Sequence, residues 1–435
     1  MQMTSPHNPE ATGGLAPARE PAAGMLDVLG KRAVLAKLAA LRSGCLVLVD
    51  GHERHRFGSP TPALPEPVIV HVHDARLYGD VAFGGSVGAG EAYMRGYWTT
   101  TQLVDVIRLF VLNMDALDGL EGGLARFTNP LRKAVHALRR NSRAGSRRNI
   151  AAHYDLGNDF FRLMLDDTLM YSAATFEYPE QSLHDAQLAR LDRICERLEL
   201  KGNDHLLEIG TGWGGLALHA AKHFGCRVTT TTISREQWRL ARERVREAGL
   251  ESRIEVLCED YRDLSARSKG SYDKLVSIEM IEAIGHQYYD TYFRHCAELL
   301  APDGAMLLQA ITIPDQRYDR ARRSVDFIQR YIFPGCCIPS VAALTHSIAR
   351  ASDLRLSHLE DIGPHYATTL AHWRQNFRAN LPRIRALGHD ETFLRMWEYY
   401  LCYCEGGFVE RALGDVQMLL VKPGNRGRVN CACSK

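Results

Sequence analysis

The spacing of apolar positions changes along the chain and divides it into regions. Val34, Leu38 and Leu41, with Ala33 and Ala36 between them, recur at helical spacing. Short apolar runs at 46–49 and 68–72 predict strands on either side of a proline-rich break at 60–67. The segment GAGEAYMRGYW at 88–98 leads into a second helix over 103–112. Residues 26–120 therefore predict a small α+β domain. Before it, residues 1–25 are rich in Pro, Ala and Gly, a composition that predicts disorder.

Residues 121–150 predict a basic linker or helix. Leu131, Ala134, Val135 and Leu138 form an apolar stripe. Arg132, Lys133, Arg139, Arg140, Arg143, Arg147 and Arg148 surround it with no acidic residue among them. A basic amphipathic segment of this kind suits an anionic membrane surface, and a solvated connector would carry the same charges.

From 151 onward strands alternate with helices. Strands are predicted at 205–209, 227–233, 254–257, 274–278 and 306–313, with helices at 214–224 and 235–248 between them. Runs at 354–362 and 417–421 supply two more strands, and 314–350 reads as a helical insertion. This pattern predicts an α/β fold, a mostly parallel Rossmann-like sheet with helices on both faces, over a catalytic domain at 151–423. Residues 424–435 read as a mobile tail.

Bulk properties exclude more than they assign. The 435 residues carry a formal net charge of +2, so attraction to anions must come from local clusters. No nucleic-acid motif accompanies the basic segment, and no nucleic-acid partner is expected. No apolar run is long enough for a membrane span, and no secretory signal is expected. The 11 cysteines, including the pairs Cys336–Cys337, Cys402–Cys404 and Cys431–Cys433, lack zinc-ligand spacing, so no metal is expected.

Chemistry concentrates at Leu207-Glu208-Ile209-Gly210-Thr211-Gly212-Trp213-Gly214-Gly215, between a strand and a helix. Glycines there let the backbone turn tightly and approach a ligand at the carboxyl edge of the sheet. A nicotinamide site would want an acid at the end of the second strand, where this chain has Thr229 to Thr232. Glu208, two residues before Gly210, instead matches the first motif of class I methyltransferases. Asp260-Tyr261, after the third strand, falls where such enzymes contact adenine.

The segment 148–159 (RNIAAHYDLGND), Met170-Tyr171-Ser172, the glycine loop, TISREQ at 232–237, SIEMIEAIG at 277–285, IFPG at 332–335 and Pro364-His365-Tyr366 together resemble the cyclopropane fatty acid synthase family. GEAYMRGYW at 90–98 resembles that family's small N-terminal, lipid-associated domain. The resemblance implies a class I methyltransferase fold that moves a one-carbon unit from S-adenosylmethionine to the double bond of unsaturated phospholipid acyl chains, at the cytoplasmic face of a membrane. A homodimer is compatible with it. It implies cofactor contacts at Tyr171, Ser172, Glu208, Gly210, Gly212, Gly214, Thr232, Gln237, Asp260 and Tyr261.

The resemblance also implies a bicarbonate ion as base, caged by Glu282, Tyr366 and the backbone of Ile311. At two further cage positions the chain departs from the family: Ala173 stands for a Cys and Gln309 for a His. Glu279, in the same motif as Glu282, is the next carboxylate in line. Two other outcomes fit the departures, a fatty-acid C-methyltransferase that leaves the ring open and a lipid-binding homologue with impaired catalysis. A small-molecule methyltransferase fits the N-terminal region poorly.

Overall fold

The computed structural model describes residues 25–117 and 156–426, apart from 265 and 267. The expectations for residues 1–24, for the basic segment and for 427–435, with the Cys431–Cys433 pair, lie outside the described residues.

The N-terminal domain is a four-stranded sheet in the order β2-β1-β3-β4. Its strands are β1 (Gly44–Asp50), β2 (Glu53–Ser59), β3 (Val68–Val72) and β4 (Trp98–Thr99). Three helices, Met25–Leu38, Arg76–Met94 and Leu103–Leu112, accompany it. β1 and β2 form an antiparallel hairpin, Asp50 opposite Glu53, with Gly51 in the left-handed conformation (φ 57°) at the turn. β2 (ERHRFGS) is an exposed edge strand rich in charge, with no apolar pattern that would predict it.

The second sheet has seven strands: β5 (His205–Ile209), β6 (Arg227–Thr231), β7 (Ile254–Leu257), β8 (Tyr272–Ile278), β9 (Leu300–Thr312), β10 (Arg355–Asp361) and β11 (Gly414–Val421). Their order is β10-β11-β9-β8-β5-β6-β7. The pairs from β9 through β7 are parallel, and β11 runs antiparallel to both β9 and β10. This is the mostly parallel α/β sheet expected from the alternating pattern. From β5 the chain first winds outward through β6 and β7, then returns to lay β8 on the opposite side of β5. That reversal opens a crevice beyond the strands' carboxyl ends, where ligands of such sheets bind.

The two domains share one apolar core. Helix Glu391–Val409 runs under the N-terminal domain, and Gly406 brings its backbone against Ile107. Gly90 lies similarly against Phe327 and Tyr399, which together with Tyr93 belong to a single buried cluster. Polar contacts pin the seam: Tyr93 donates its hydroxyl to Glu398 at 3.0 Å, Arg108 Nε donates to Glu410 at 2.7 Å, and Tyr331 donates to Glu91 at 2.8 Å. The insertion at 314–350 contains helices Asp315–Ala321 and Val341–Ala351 with a π turn at Ile328–Ile332 between them. At the far end, Gly424 still donates to the Pro302 carbonyl.

Candidate functional site

The glycine loop, Thr232, Asp260, Glu279 and Glu282 stand at or just beyond strand ends, while Tyr171 and Ser172 come from the segment before helix Leu183–Arg197 and Tyr366 from helix Gly363–Ala379. β5 is apolar and buried until Glu208, whose carboxylate accepts from Thr230 Oγ1 at 2.6 Å. Burial pushes this carboxyl up to about 8. The loop then turns back on β6, with the amides of Gly210 and Thr211 both donating to the Thr231 carbonyl. The four glycines divide by what a side chain would meet. A Cβ on Gly215 would strike Thr168 and Met170, and one on Gly214 would touch Ala241. A Cβ on Gly212, at φ 51°, would meet nothing within 4 Å. Gly212 thus borders open space, Gly210 lines the cavity beside Met280, and Gly214 serves helix packing and does not line the cavity.

After β6, Thr232 Oγ1 donates to Gln237 Oε1 at 2.8 Å, and Ser234 caps the helix Arg235–Glu247 by accepting from the Gln237 amide. Asp260 is held in a two-point pair by Arg262, Nε to Oδ1 at 2.8 Å and Nη2 to Oδ2 at 2.5 Å. Tyr261 is buried beside it. Tyr171 shares a 2.7 Å hydrogen bond with Tyr400, and its ring packs on Phe161 and Trp373. Ser172 is buried, and its hydroxyl has no hydrogen-bond partner among the described residues. Thr232, Gln237, Asp260, Tyr261, Arg262, Tyr171, Tyr400 and Ser172 line the cavity.

The carboxylates follow β8. Glu282 accepts from the Ile311 amide through Oε1 at 2.5 Å, and its Oε2 is buried with no partner among the described residues. Burial and the neighbouring Glu279 push its carboxyl up to about 8, so it is mostly protonated at neutral pH. Tyr366, Ala173 and Gln309 do not meet Glu282. They converge on Glu279. Ala173 N–H and Gln309 Nε2 donate to its Oε1 at 2.9 and 2.8 Å, and the Tyr366 hydroxyl donates to its Oε2 at 2.7 Å. Ala173 and Gln309 are wholly buried behind Glu279, outside the cavity wall, whereas Glu279, Glu282, Ile311 and Tyr366 line it.

Behind these groups lies a polar network absent from the sequence assignment. Arg190 is fully buried and donates through Nε and Nη2 to Gln187 Oε1 and through Nη1 to Gln309 Oε1. Gln309 Nε2 also donates to Asp415 at 2.9 Å, and Gln417 donates to Gln309 Oε1 at 3.1 Å. Burial and the negative field of Glu279 and Glu282 drive the Asp415 carboxyl far above the usual range. One buried cation thus faces three acids, and Glu279, with three donors, is the one best equipped to stay ionised. The legible signal was polar residues inside apolar strands: Gln309 and Gln417 stand opposite each other in the β9–β11 register.

The raised carboxyls set a pH dependence. Glu282 folded titrates near 8 against an ordinary 4.5, so folding takes up a proton between those values. The stability this carboxyl contributes is full below the unfolded value and is lost as pH rises through the folded one. Glu282→Gln, neutral throughout, should therefore lose less melting temperature than the wild type between about pH 5 and about pH 8. Parallel melting curves for both proteins across that window would contradict the assignment.

The cavity joining these residues measures about 820 Å³, within the range of small-molecule sites. Its far wall belongs to the N-terminal domain, with Leu46, Val70, Leu77, Trp98, Val106 and Phe110. Ile328 and Phe333 also line it. Phe160, Phe161 and Met164 are packed in the core.

Residues 141–418 match the family described as mycolic acid cyclopropane synthetase. Over 378 residues the chain is 38% identical to a tuberculostearic acid methyltransferase of Mycobacterium tuberculosis, covering 84% of this chain and 86% of that protein. It is 37% identical over 357 residues to a cyclopropane-fatty-acyl-phospholipid synthase of Escherichia coli, covering 81% and 86% respectively. A solved mycolic acid cyclopropane synthase complexed with SAH and CTAB superposes with a TM-score of 0.58 at 31% identity, over 63% of this chain and 98% of that one.

Proposed function

Since the chain belongs to the mycolic acid cyclopropane synthetase family and is thereby an S-adenosylmethionine-dependent methyltransferase acting on lipids, we infer that it adds one carbon to the double bond of an unsaturated fatty-acyl chain of a membrane phospholipid. The observation that carries this is the single cavity running from the glycine loop, past Glu279 and Glu282, into the apolar interior of the N-terminal domain. A small-molecule methyltransferase has no use for the apolar half.

The residues fit the cofactor. Open space over Gly212, the unpartnered Ser172 hydroxyl and the Thr232–Gln237 pair form a cradle at the strand ends. Tyr171, Gly210, Asp260 and Tyr261 complete it. When bound, S-adenosylmethionine supplies a methyl group on a sulfonium sulfur, an electrophile for the π electrons of the alkene. The chain's own residues place the double bond beside that methyl and keep water away, since a carbocation on the acyl chain is quenched by water. The apolar wall and the ring stack of Tyr366 on Phe408, at 4.5 Å between centroids, exclude water.

No helix among the described residues is long and apolar enough to cross a membrane. The acyl chain would enter from a membrane surface, at its cytoplasmic face. A second outcome, a methyl or methylene branch without ring closure, is supported by the methyltransferase relative and by Gln309 in place of the family's His.

Mass analysis of lipids incubated with the protein and methyl-labelled cofactor tests both outcomes, and lipid without label would refute the activity. Val81 lines the apolar half of the cavity, and Val81→Trp should narrow it. The expected result is a KM for unsaturated phospholipid raised about tenfold, an effect of roughly 1.4 kcal/mol on binding, with cofactor affinity unchanged. An unchanged KM would place the acyl chain elsewhere.

A further inference from the structure

The cage that the family resemblance assigns to bicarbonate is already full. The Ala173 amide has one hydrogen, and it points to Glu279 Oε1. The Tyr366 hydroxyl has one, and it points to Glu279 Oε2. Gln309 Nε2 has two, committed to Glu279 and Asp415. The Ile311 amide is committed to Glu282. Apart from the proton on Glu282, no cage donor remains for an outside anion, and the Glu279 carboxylate already occupies the place among these donors where its charge would have to sit. Bicarbonate therefore does not fit this site.

Glu279 has a further peculiarity. Its φ is 46°, left-handed, where a residue with a side chain costs of order 1–3 kcal/mol. Strain of that kind persists where surrounding structure enforces it. Here the return is a carboxylate held by three donors, half-buried, its exposed part facing the cavity it lines.

We propose that the Glu279 carboxylate is itself the base of the reaction, built into the chain in the seat that the resemblance gives to bicarbonate. This rests on the lipid activity inferred above. Methyl addition leaves a cation on the acyl chain. A C–H bond on the added methyl, or on a chain carbon next to the cationic one, then breaks, its proton passing to Glu279 Oε2 and its electron pair to the cationic carbon. The pair becomes a ring bond if the hydrogen leaves the added methyl, or a double bond if it leaves a neighbouring chain carbon. Oε2 accepts one hydrogen bond against two at Oε1, so it has the free lone pair. Once product leaves, water takes the proton and the carboxylate is restored. Ala173, Gln309 and Tyr366 act as positioning residues. Desolvation raises the Glu279 carboxyl, which strengthens it as a base as long as its three donors keep it ionised.

The test uses the full-length protein in carbonate-free buffer, with and without added bicarbonate. Wild type should turn over equally in both. Glu279→Gln keeps the shape but removes the base, so kcat should fall by about 10²–10⁴ while cofactor affinity holds. Glu279→Gly suits the left-handed backbone and opens an anion-sized space, so it should fold, lose turnover to a similar degree, and regain about tenfold or more on addition of bicarbonate. Carbon-13-labelled bicarbonate, followed by NMR, should bind Glu279→Gly and not wild type, a readout independent of turnover. Wild type that needs bicarbonate or binds it at the site overturns the proposal, as does full turnover of Glu279→Gln. Wild type that labels no lipid in either buffer instead refutes the lipid activity, and the NMR arm still decides who holds the seat.

Discussion

Arg190→Met should destabilise the protein by about 3–5 kcal/mol, the usual cost of removing one partner from a buried charged set. Arg190 is wholly buried, and its charge is what balances the Glu279 carboxylate across the network. Methionine fills a similar volume, so the loss would be electrostatic. It would also strip two hydrogen bonds from Gln187 and one from Gln309. Urea unfolding should show a lower midpoint at unchanged slope. Arg190→Lys keeps the charge but not the planar fork, and should fall between the two. A midpoint for Arg190→Met within experimental scatter of wild type would mean that the three acids are all neutral and need no counter-charge.

Gly212→Val should weaken S-adenosylmethionine binding by about 100-fold or more, roughly 2.8 kcal/mol. Two effects combine. The branched side chain enters the open space over the loop, and the left-handed φ of 51° disfavours any β-branched residue. Gly249→Val separates them, because Gly249 has φ 65° and open surroundings on the protein surface, away from the cavity. Both variants should lose stability through the backbone, and only Gly212→Val should lose affinity in calorimetric titration. Full affinity in a folded Gly212→Val would remove the loop from the cofactor site.

The parts of this molecule that announce themselves in sequence are those whose demands are local. β5 and the later half of β9 are mostly apolar, and β6 is a β-branched run, because both faces of their sheet are covered. The loop at 210–215 shows its conformational needs in residue type. β2 escaped notice for the opposite reason: ERHRFGS carries no apolar pattern, and backbone pairing to β1 holds it. The cage residues were found through family motifs, but their grouping was not. Pairing Tyr366 with Glu279 joins positions 87 apart in the chain, and Ala173 with Glu279 joins positions 106 apart. No spacing rule links them. Gln187, Arg190 and Asp415 are ordinary helix or strand residues until the fold buries them together.

The placement of the cavity at the domain seam has a thermodynamic consequence. A ligand occupying it would touch both domains and become part of the contact that holds them together. Substrate affinity and domain attachment then form one linked equilibrium, each strengthening the other by the same factor. A substitution at Glu398 or Glu410, remote from any reacting atom, would in this way act as a weaker binding constant. Letting go of the finished lipid would likewise mean loosening the protein's own joint, which makes release a candidate for the slow event of each cycle.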